Sequence, residues 1–317
     1  MGMEGIGDKL RKRDENSIIL DKPIAQGPEA LNPAFEKAIE KGIKDELTRV
    51  KTRFEDAENP LDNLEYHSTK HTKDVMRRAG LILRAMTKGD ARLIRLGEFI
   101  AANHDTVQKY DVVEADGKKM RKRHIEKNEE ASAEEAIAYL ETLDPGLVSA
   151  HDKYLVEQAI RATIPGFVVN KEEGYATVVQ KNLNEQSDLL VRAVALADLG
   201  TAGMDDPETF VLEGDAIFRE ENLDIAEALQ DPAAITDEKK QAFIKRMLAW
   251  SDSQSAFARG RKALLDKELA GLPEEAQEAV RALFTQFDDS IHRAQAKTDM
   301  RKTMAFEELV RDFGYKI

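Results

Sequence analysis

The sequence predicts an all-α fold, in which a bundle of helices is followed by a C-terminal helical hairpin. Three observations favour this class. Apolar residues recur every three or four positions through most of the chain, segments with the alternating pattern of a strand are sparse, and Gly and Pro interrupt the pattern where helices would end. Cysteine is absent, which excludes disulfides, zinc ribbons and thiol nucleophiles.

The length of 317 residues allows one large helical domain or a catalytic domain with an appendage, and we favour the second interpretation. A net charge of -13 argues against a protein that coats a nucleic-acid polymer, because clustered Lys and Arg supply most of that affinity. A small phosphorylated substrate is still compatible, since it needs only a local positive pocket. Any metal must be bound by His, Asp or Glu.

The N-terminal 31 residues carry Gly, Pro and charge with little apolar periodicity, and we interpret them as a loosely ordered lead-in. The segment Met1–Arg13 lacks the apolar region of a signal peptide, and eighteen consecutive apolar residues occur nowhere in the chain. We therefore expect a cytoplasmic protein that neither binds nor spans a membrane.

The first helix is expected to begin after Asn32, which can cap it, with Pro33 at its first position and an apolar stripe that continues to Phe54. The same spacing predicts further helices, which Pro145-Gly146 and Pro165-Gly166 interrupt. These predicted helices cover residues 64–83, 91–103, 131–143 and 153–163, and the polar stretch 105–126 between them is expected to be a loop or short hairpin.

The segment Asp188–Leu199 is apolar nearly all round, which is typical of a central buried helix, and Asp198 lies within it. Two long helical patterns, 236–269 and 274–300, flank Gly271-Leu272-Pro273 and predict a helical hairpin, which a short amphipathic helix follows. We divide the chain into the lead-in 1–31, a catalytic helical domain 32–225 with its motifs in 60–205, and a C-terminal hairpin 226–317.

Histidines and carboxylates inside these apolar helices predict a metal site. His67 and His71 are four residues apart and would share a helix face, while His104-Asp105 ends one apolar helix and Asp198 lies in the most buried one. A buried carboxylate costs several kcal/mol unless it is paired or coordinated. We expect His71, His104, Asp105 and Asp198 to bind one or two divalent ions, with zinc, manganese, iron and magnesium all compatible.

Less specific interpretations stay open at this point. A single histidine on an apolar helix is more often a core residue than a ligand. Asp198 could instead pair with a buried Arg192 or Arg161. Glu129 could simply be a negative charge in the first turn of a helix, where the helix dipole favours carboxylates.

The ordered motifs resemble a known family. Tyr66-His67, His71 and Asp74-Val75 are followed by His104-Asp105, by Asn128-Glu129-x-x-Ser132-Ala133 and by Ala-Asp-Leu before Gly200. This order is similar to that of the HD-domain superfamily of metal-dependent phosphohydrolases, which includes the cyclic-nucleotide phosphodiesterases, and the resemblance covers residues 60–205.

The resemblance implies roles for individual residues. It implies that His71, His104, Asp105 and Asp198 are metal ligands, that His67 protonates the leaving oxygen, and that Glu129 faces the same pocket. The implied activity is hydrolysis of a phosphoester in a nucleotide or nucleotide-like small molecule by metal-activated water. It also implies an HD-type helical bundle as the fold.

The chain departs from this family in one respect. Members with two protein-bound metals have two more histidine ligands between the HD doublet and the last Asp, and here the candidates are His124 and His151. We favour a weakly held second ion that is bound mostly by water and Asp105.

A basic run in the predicted hairpin, residues 118–123, has two interpretations. It is either a solvated loop or a lid that brings cations over an acidic site to attract phosphate. The candidate phosphate-binding residues are Lys70, Lys118, Lys119, Arg121, Lys122 and Arg123.

Two further functions compete with phosphoester hydrolysis. A diiron oxygenase uses the same type of scaffold and requires two tightly bound irons. A regulatory or scaffold protein with a vestigial metal site would interact through its long C-terminal helices, which are also the expected surface of a homodimer.

Overall fold

The computed structural model describes residues 31–58, 62–170 and 175–316. Nearly all of the predicted lead-in 1–31 lies outside the described residues. The described part is mainly α-helical with two short antiparallel hairpins. The prediction of a mainly helical protein is confirmed.

Thirteen helices are described within these ranges. They are α1 (Pro33–Val50), α2 (Thr69–Thr87), α3 (Ala91–Asn103), α4 (Lys127–Glu141), α5 (Ala150–Ala162), α6 (Leu189–Asp198), α7 (Thr201–Met204), α8 (Pro207–Glu221), α9 (Leu223–Ala228), α10 (Asp237–Leu269), α11 (Glu274–Arg281), α12 (Phe287–Arg301) and α13 (Phe306–Asp312). The strands are β1 (Tyr110–Ala115), which pairs with β2 (Lys118–Arg123), and β3 (Pro165–Asn170), which pairs with β4 (Tyr175–Gln180).

Local sequence explains where the first helix begins. The side chain of Asn32 accepts hydrogen bonds from the backbone N–H groups of Ala34 and Phe35, and Pro33 occupies the first helical position. The helix then widens into a π-helical turn, Lys51–Glu55, and the apolar stripe reaches Phe54 as predicted.

The second helix begins later than predicted, at Thr69 rather than near residue 64. The reason lies in a distant side chain. The backbone N–H groups of Tyr66 and His67 donate to the carboxylate of Glu220, at 3.0 and 3.2 Å, instead of joining a helix. His67 therefore precedes α2, and its imidazole is not placed by the four-residue helical spacing to His71.

The predicted single helix 274–300 is wrong, because the structure has two helices there, α11 and α12, separated by residues 282–286. The chain leaves the helix to pack on α7. The N–H of Gln286 donates to the carbonyl of Gly203, and the rings of Phe284 and Phe287 approach so closely that a Cβ on Gly203 would lie 2.5–2.6 Å from them. The sequence analysis also missed α8, α9 and the hairpin β3–β4.

The core centres on α6, where residues 190–197 are all buried, as the apolar pattern predicted. Helices α2 and α3 pack against each other and against α6. Gly97 permits this approach, because a Cβ there would lie 2.1 Å from Cδ1 of Leu83. A second, smaller apolar cluster joins α8, α10 and α13 through Phe218, Phe243 and Phe306.

Contacts cross the predicted boundary at residue 225. Helix α12 packs on α8, and α10 packs on β4 and α8. The separate C-terminal domain stays a prediction. Among the described residues, none of the helices has the length and apolar character that a membrane crossing requires.

Candidate metal centre

Three helix ends converge on one small volume. His71 lies in the first turn of α2, His104 follows the last residue of α3, and Asp198 is the last residue of α6. Because α2, α3 and α6 pack together, the start of α2 meets the ends of the other two helices. The C-terminal ends of α3 and α6 carry the negative poles of their helix dipoles, which favours a cation between them.

The four predicted ligands form a cluster in which one donor atom from each lies within 4.8 Å of the others. Nε2 of His104 is 3.0 Å from Oδ2 of Asp105 and 3.4 Å from Oδ1 of Asp198. Nε2 of His71 is 3.5 Å from Oδ2 of Asp105 and 3.8 Å from Oδ1 of Asp198. Both imidazoles are buried, and both carboxylates are nearly so.

The hydrogen bonds of the imidazoles test whether this cluster fits a cation. Nδ1 of His104 donates to the carbonyl of Ala101 at 2.7 Å, which in the neutral ring leaves a lone pair on Nε2 facing the carboxylates. Neither ring nitrogen of His71, nor Nε2 of His104, has a hydrogen-bond partner in the described structure. Buried lone pairs that face carboxylate oxygens need a positive charge between them. Two imidazoles and two carboxylates therefore fit a borderline or hard divalent ion.

The pKa shifts also indicate that the cluster favours a positive charge. Burial lowers the pKa of His104, but the negative charges of Asp105 and Asp198 outweigh it and raise this pKa well above its usual value. Burial would raise the pKa of Asp105, but His104 and His67 hold it well below its ordinary range. Burial lowers the pKa of His71. The site thus favours an ionised Asp105 together with a neutral His71 imidazole.

His67 lies at the edge of the cluster and is oriented by Glu220. Nδ1 of His67 is 2.5 Å from Oε1 of Glu220, and Nε2 is 3.8 Å from Oδ2 of Asp105. Arg121 supports this arrangement from the hairpin, since it donates to the Glu220 carbonyl at 2.6 Å. The imidazole is buried and directed at the cluster without being one of its four members.

Glu220 is a site residue that the sequence analysis missed. It lies in α8, a helix that was not predicted, 153 residues from the histidine it holds. The signal that singled out Asp198 is missing here, because Glu220 lies between the charged residues Arg219 and Glu221 and not within an apolar run.

The alternative pairings of Asp198 do not form. Arg192 donates to backbone carbonyls, among them those of Glu268 and Asn184. Arg161 pairs with Glu130 and Glu157 at 3.0 Å. The charged groups that do face Asp198 are His71 and His104.

Glu129 lies in the first turn of α4, as the simpler of its two interpretations predicted. Its Oε2 accepts the backbone N–H of Glu126 at 2.6 Å, so this carboxylate caps the first turn of α4. Its other oxygen lies 3.8 Å from the guanidinium of Arg123. The side chain is buried, which raises the pKa of Glu129.

The basic run forms strand β2, and its residues have different surroundings. Lys118 and Lys122 are exposed, and Lys119 pairs with Glu227 in α9. Arg121 is buried, with its guanidinium 4.8 Å from the centre of the Tyr110 ring.

One cation of the candidate set lies beside the cluster. Arg123 reaches it, with its guanidinium 3.7 Å from Oδ1 of Asp105. Lys70, the remaining candidate, is exposed, pairs with Asp74 at 2.9 Å and lies 3.6 Å from Glu213.

The two histidines proposed for a second metal lie outside the four-residue cluster. His124 contacts Asp111 at 3.0 Å on the hairpin β1–β2. His151 is exposed in the first turn of α5, where its ring lies beside that of Tyr154.

No protein-family model matches the chain, and neither the curated proteins nor the solved structures include a significant match. The functional argument therefore depends on the geometry of the site.

Proposed function

We propose that this chain is a metal-dependent phosphohydrolase of the HD type, acting on a phosphoester of a nucleotide or nucleotide-like small molecule. One observation carries the proposal. A buried cluster of two imidazoles and two carboxylates lies beside a third histidine, His67, whose ring a carboxylate orients toward that cluster.

The four clustered residues would hold the metal through Nε2 of His71, Nε2 of His104, and carboxylate oxygens of Asp105 and Asp198. A divalent cation bound there supplies a Lewis acid and lowers the pKa of a coordinated water toward neutrality. The protein contributes orientation. Packing of α2, α3 and α6 fixes the ligands, and the bond from Nδ1 of His104 to Ala101 keeps Nε2 available.

His67 is suited to deliver a proton to the leaving oxygen. Its Nδ1 is held by Glu220, so Nε2 is the nitrogen that faces the site. A carboxylate behind an imidazole stabilises the protonated ring and fixes its orientation, as in other acid–base pairs. The net charge of the chain, -13, favours a small substrate over a nucleic-acid polymer.

The experiment that tests this proposal compares two variants on a panel of phosphoesters, with bound metal measured in each. His104→Ala/Asp105→Ala removes two of four ligands, and it is expected to lose both bound metal and turnover. His67→Ala leaves the four ligands in place, so it is expected to keep the metal while kcat falls about 10²- to 10⁴-fold. His151→Ala, an exposed histidine outside the cluster, is the matched control and should behave like the wild type.

Full activity in either variant would contradict the role assigned to it. Two tightly bound irons together with oxygen consumption would instead favour the diiron oxygenase. Wild-type protein that hydrolyses none of the panel with any of the four metals would favour a scaffold whose metal site is vestigial.

A further inference from the structure

Arg123 ends strand β2 with its guanidinium between two site carboxylates. It lies 3.7 Å from Oδ1 of Asp105 and 3.8 Å from Oε1 of Glu129, both beyond ordinary hydrogen-bond length. Its side chain is 24% exposed, so part of it is accessible to a ligand. Its Nε is buried and has no hydrogen-bond partner. Arg123 therefore has donors directed at the site that the described protein groups do not use.

The carboxylates around Arg123 keep its guanidinium positively charged. Burial lowers its pKa, but Asp105, Glu129 and Glu220 more than offset that effect, so the guanidinium stays protonated. The other members of the basic run are exposed or have partners elsewhere.

The two carboxylate oxygens of Asp105 have different neighbours. Its Oδ2 faces the imidazoles of His67, His71 and His104. Its Oδ1 accepts a hydrogen bond from Nε2 of Gln108 at 2.8 Å and faces Arg123. In a two-metal site a bridging carboxylate gives one oxygen to each ion, with the ions about 3.5–4 Å apart. Here the second oxygen already faces a protein cation, and His124 and His151 lie outside the cluster.

We propose that Arg123 takes the place of a second metal ion: one divalent cation is held on the Oδ2 side of Asp105, and the guanidinium on the Oδ1 side binds the phosphoryl oxygens of the substrate. The identity of the anion as a phosphoester rests on the proposed function. The planar fork of arginine binds two phosphate oxygens at once, which suits this task better than an ammonium group.

The first test counts metal ions. Protein stripped with a chelator is titrated with Mn²⁺ and followed by electron paramagnetic resonance. We expect one bound Mn²⁺ per chain with the spectrum of an isolated ion. Two bound ions per chain with the spectrum of an exchange-coupled pair would overturn the proposal.

The second test measures binding of inorganic phosphate to the Mn²⁺-loaded protein by calorimetry. Arg123→Gln is expected to weaken phosphate binding about 10- to 100-fold, the range for loss of charge-assisted hydrogen bonds, while the Mn²⁺ count stays at one. Lys122→Gln removes the same charge from an exposed neighbour on β2 and should change the affinity less than about twofold. Equal affinity in wild type and Arg123→Gln would overturn the proposal.

A conservative variant covers the case in which Arg123→Gln does not fold. Arg123→Lys keeps the charge but loses the planar fork, and at least about a threefold loss of phosphate affinity is expected. Unchanged affinity would overturn the proposal.

The outcomes of these tests also separate this inference from the proposed function. Arg123-dependent phosphate binding without hydrolysis of any phosphoester would refute only the function, whereas hydrolysis with phosphate binding independent of Arg123 would refute only this inference.

Discussion

Glu220 shows how one residue can organise several parts of the site. Its carboxylate accepts the backbone N–H groups of Tyr66 and His67 and also holds Nδ1 of His67. Burial would raise the pKa of Glu220, but His67 and Arg123 lower it, so the carboxylate is ionised at neutral pH. It thus fixes both the loop before α2 and the ring that this loop presents.

Glu220→Gln tests this positioning role. The amide keeps the shape but weakens the charge-assisted bond to His67, so we expect kcat to fall about 10- to 100-fold while the bound metal stays unchanged. Kinetics on the metal-loaded enzyme measure the loss. Glu221→Gln, a neighbour on the same helix, is the control. A lower metal content with an unchanged kcat per bound metal would show that Glu220 acts on the metal and not on His67.

At the residue scale, sequence reasoning identified the residues that meet but not those that support them. His71, His104, Asp105 and Asp198 were recognisable because charge inside an apolar helix needs a partner, and they do converge. Glu220 and Gln108 could not be assigned in this way. Their roles depend on which chain segments pack together, and the spacing within one helix carries no information about that.

At the scale of elements, apolar periodicity predicted helices well where the partner was the core, as in α1, α3 and α6. It failed where a helix end is decided by a distant group. Thr69 starts α2 because Glu220 takes the preceding N–H groups, and the helix after α11 stops because the chain packs on Gly203. The packing of β4 against α10 likewise depends on contacts between distant segments, and the sequence of a two-stranded hairpin does not predict them.

Asp152 joins two elements that support the site, and it does so in a pH-dependent way. Its carboxylate pairs with Arg92 of α3 through two bonds, at 2.9 and 2.8 Å, and accepts from Ser149 at the start of α5. Burial would raise the pKa of Asp152, but Arg92 and Ser149 lower it below the value it has in the unfolded chain. Its contribution is therefore present above pH 4 or so and is lost as the pH falls through the lower, folded pKa.

Asp152→Asn is expected to lower the free energy of unfolding by about 1–3 kcal/mol at pH 7, because a buried charged pair and a helix cap are both weakened. The difference in the free energy of unfolding between this variant and the wild type should shrink as the pH is lowered from 5 to below 3. Urea unfolding across that range measures it. Glu141→Gln, an exposed change on α4, should shift stability by less than about 0.5 kcal/mol at every pH. A deficit that stays constant with pH would contradict the assigned cause.

At the scale of the whole molecule, the C-terminal helices are joined to the helix that carries Glu220. Arg301 of α12 is fully buried and pairs with Asp215 of α8, at 2.9 and 2.5 Å, and with Asp312 of α13 at 2.7 Å. It also donates to Ser251 of α10 at 3.2 Å. One guanidinium thus connects four helices on both sides of the boundary predicted at residue 225.

Arg301→Met tests this connection. It leaves the buried carboxylate of Asp215 without its partner, and such changes typically cost about 3–5 kcal/mol. We expect that loss in the free energy of unfolding by urea, together with weaker metal binding, since α8 also positions the site. Lys302→Met, next along the chain and half exposed, is the control and should cost less than about 0.5 kcal/mol. Destabilisation of the C-terminal helices alone, with metal affinity unchanged, would support a separate C-terminal domain.

X-ray absorption spectroscopy of the zinc-loaded protein tests most directly whether the four side chains meet around one ion. The structure predicts two imidazole nitrogens and at least two carboxylate oxygens at about 2.0–2.2 Å, with the outer-shell scattering of two imidazole rings. The same spectrum from His104→Ala/Asp105→Ala should lose that signature. A wild-type spectrum of oxygen ligands without imidazole scattering would contradict the account.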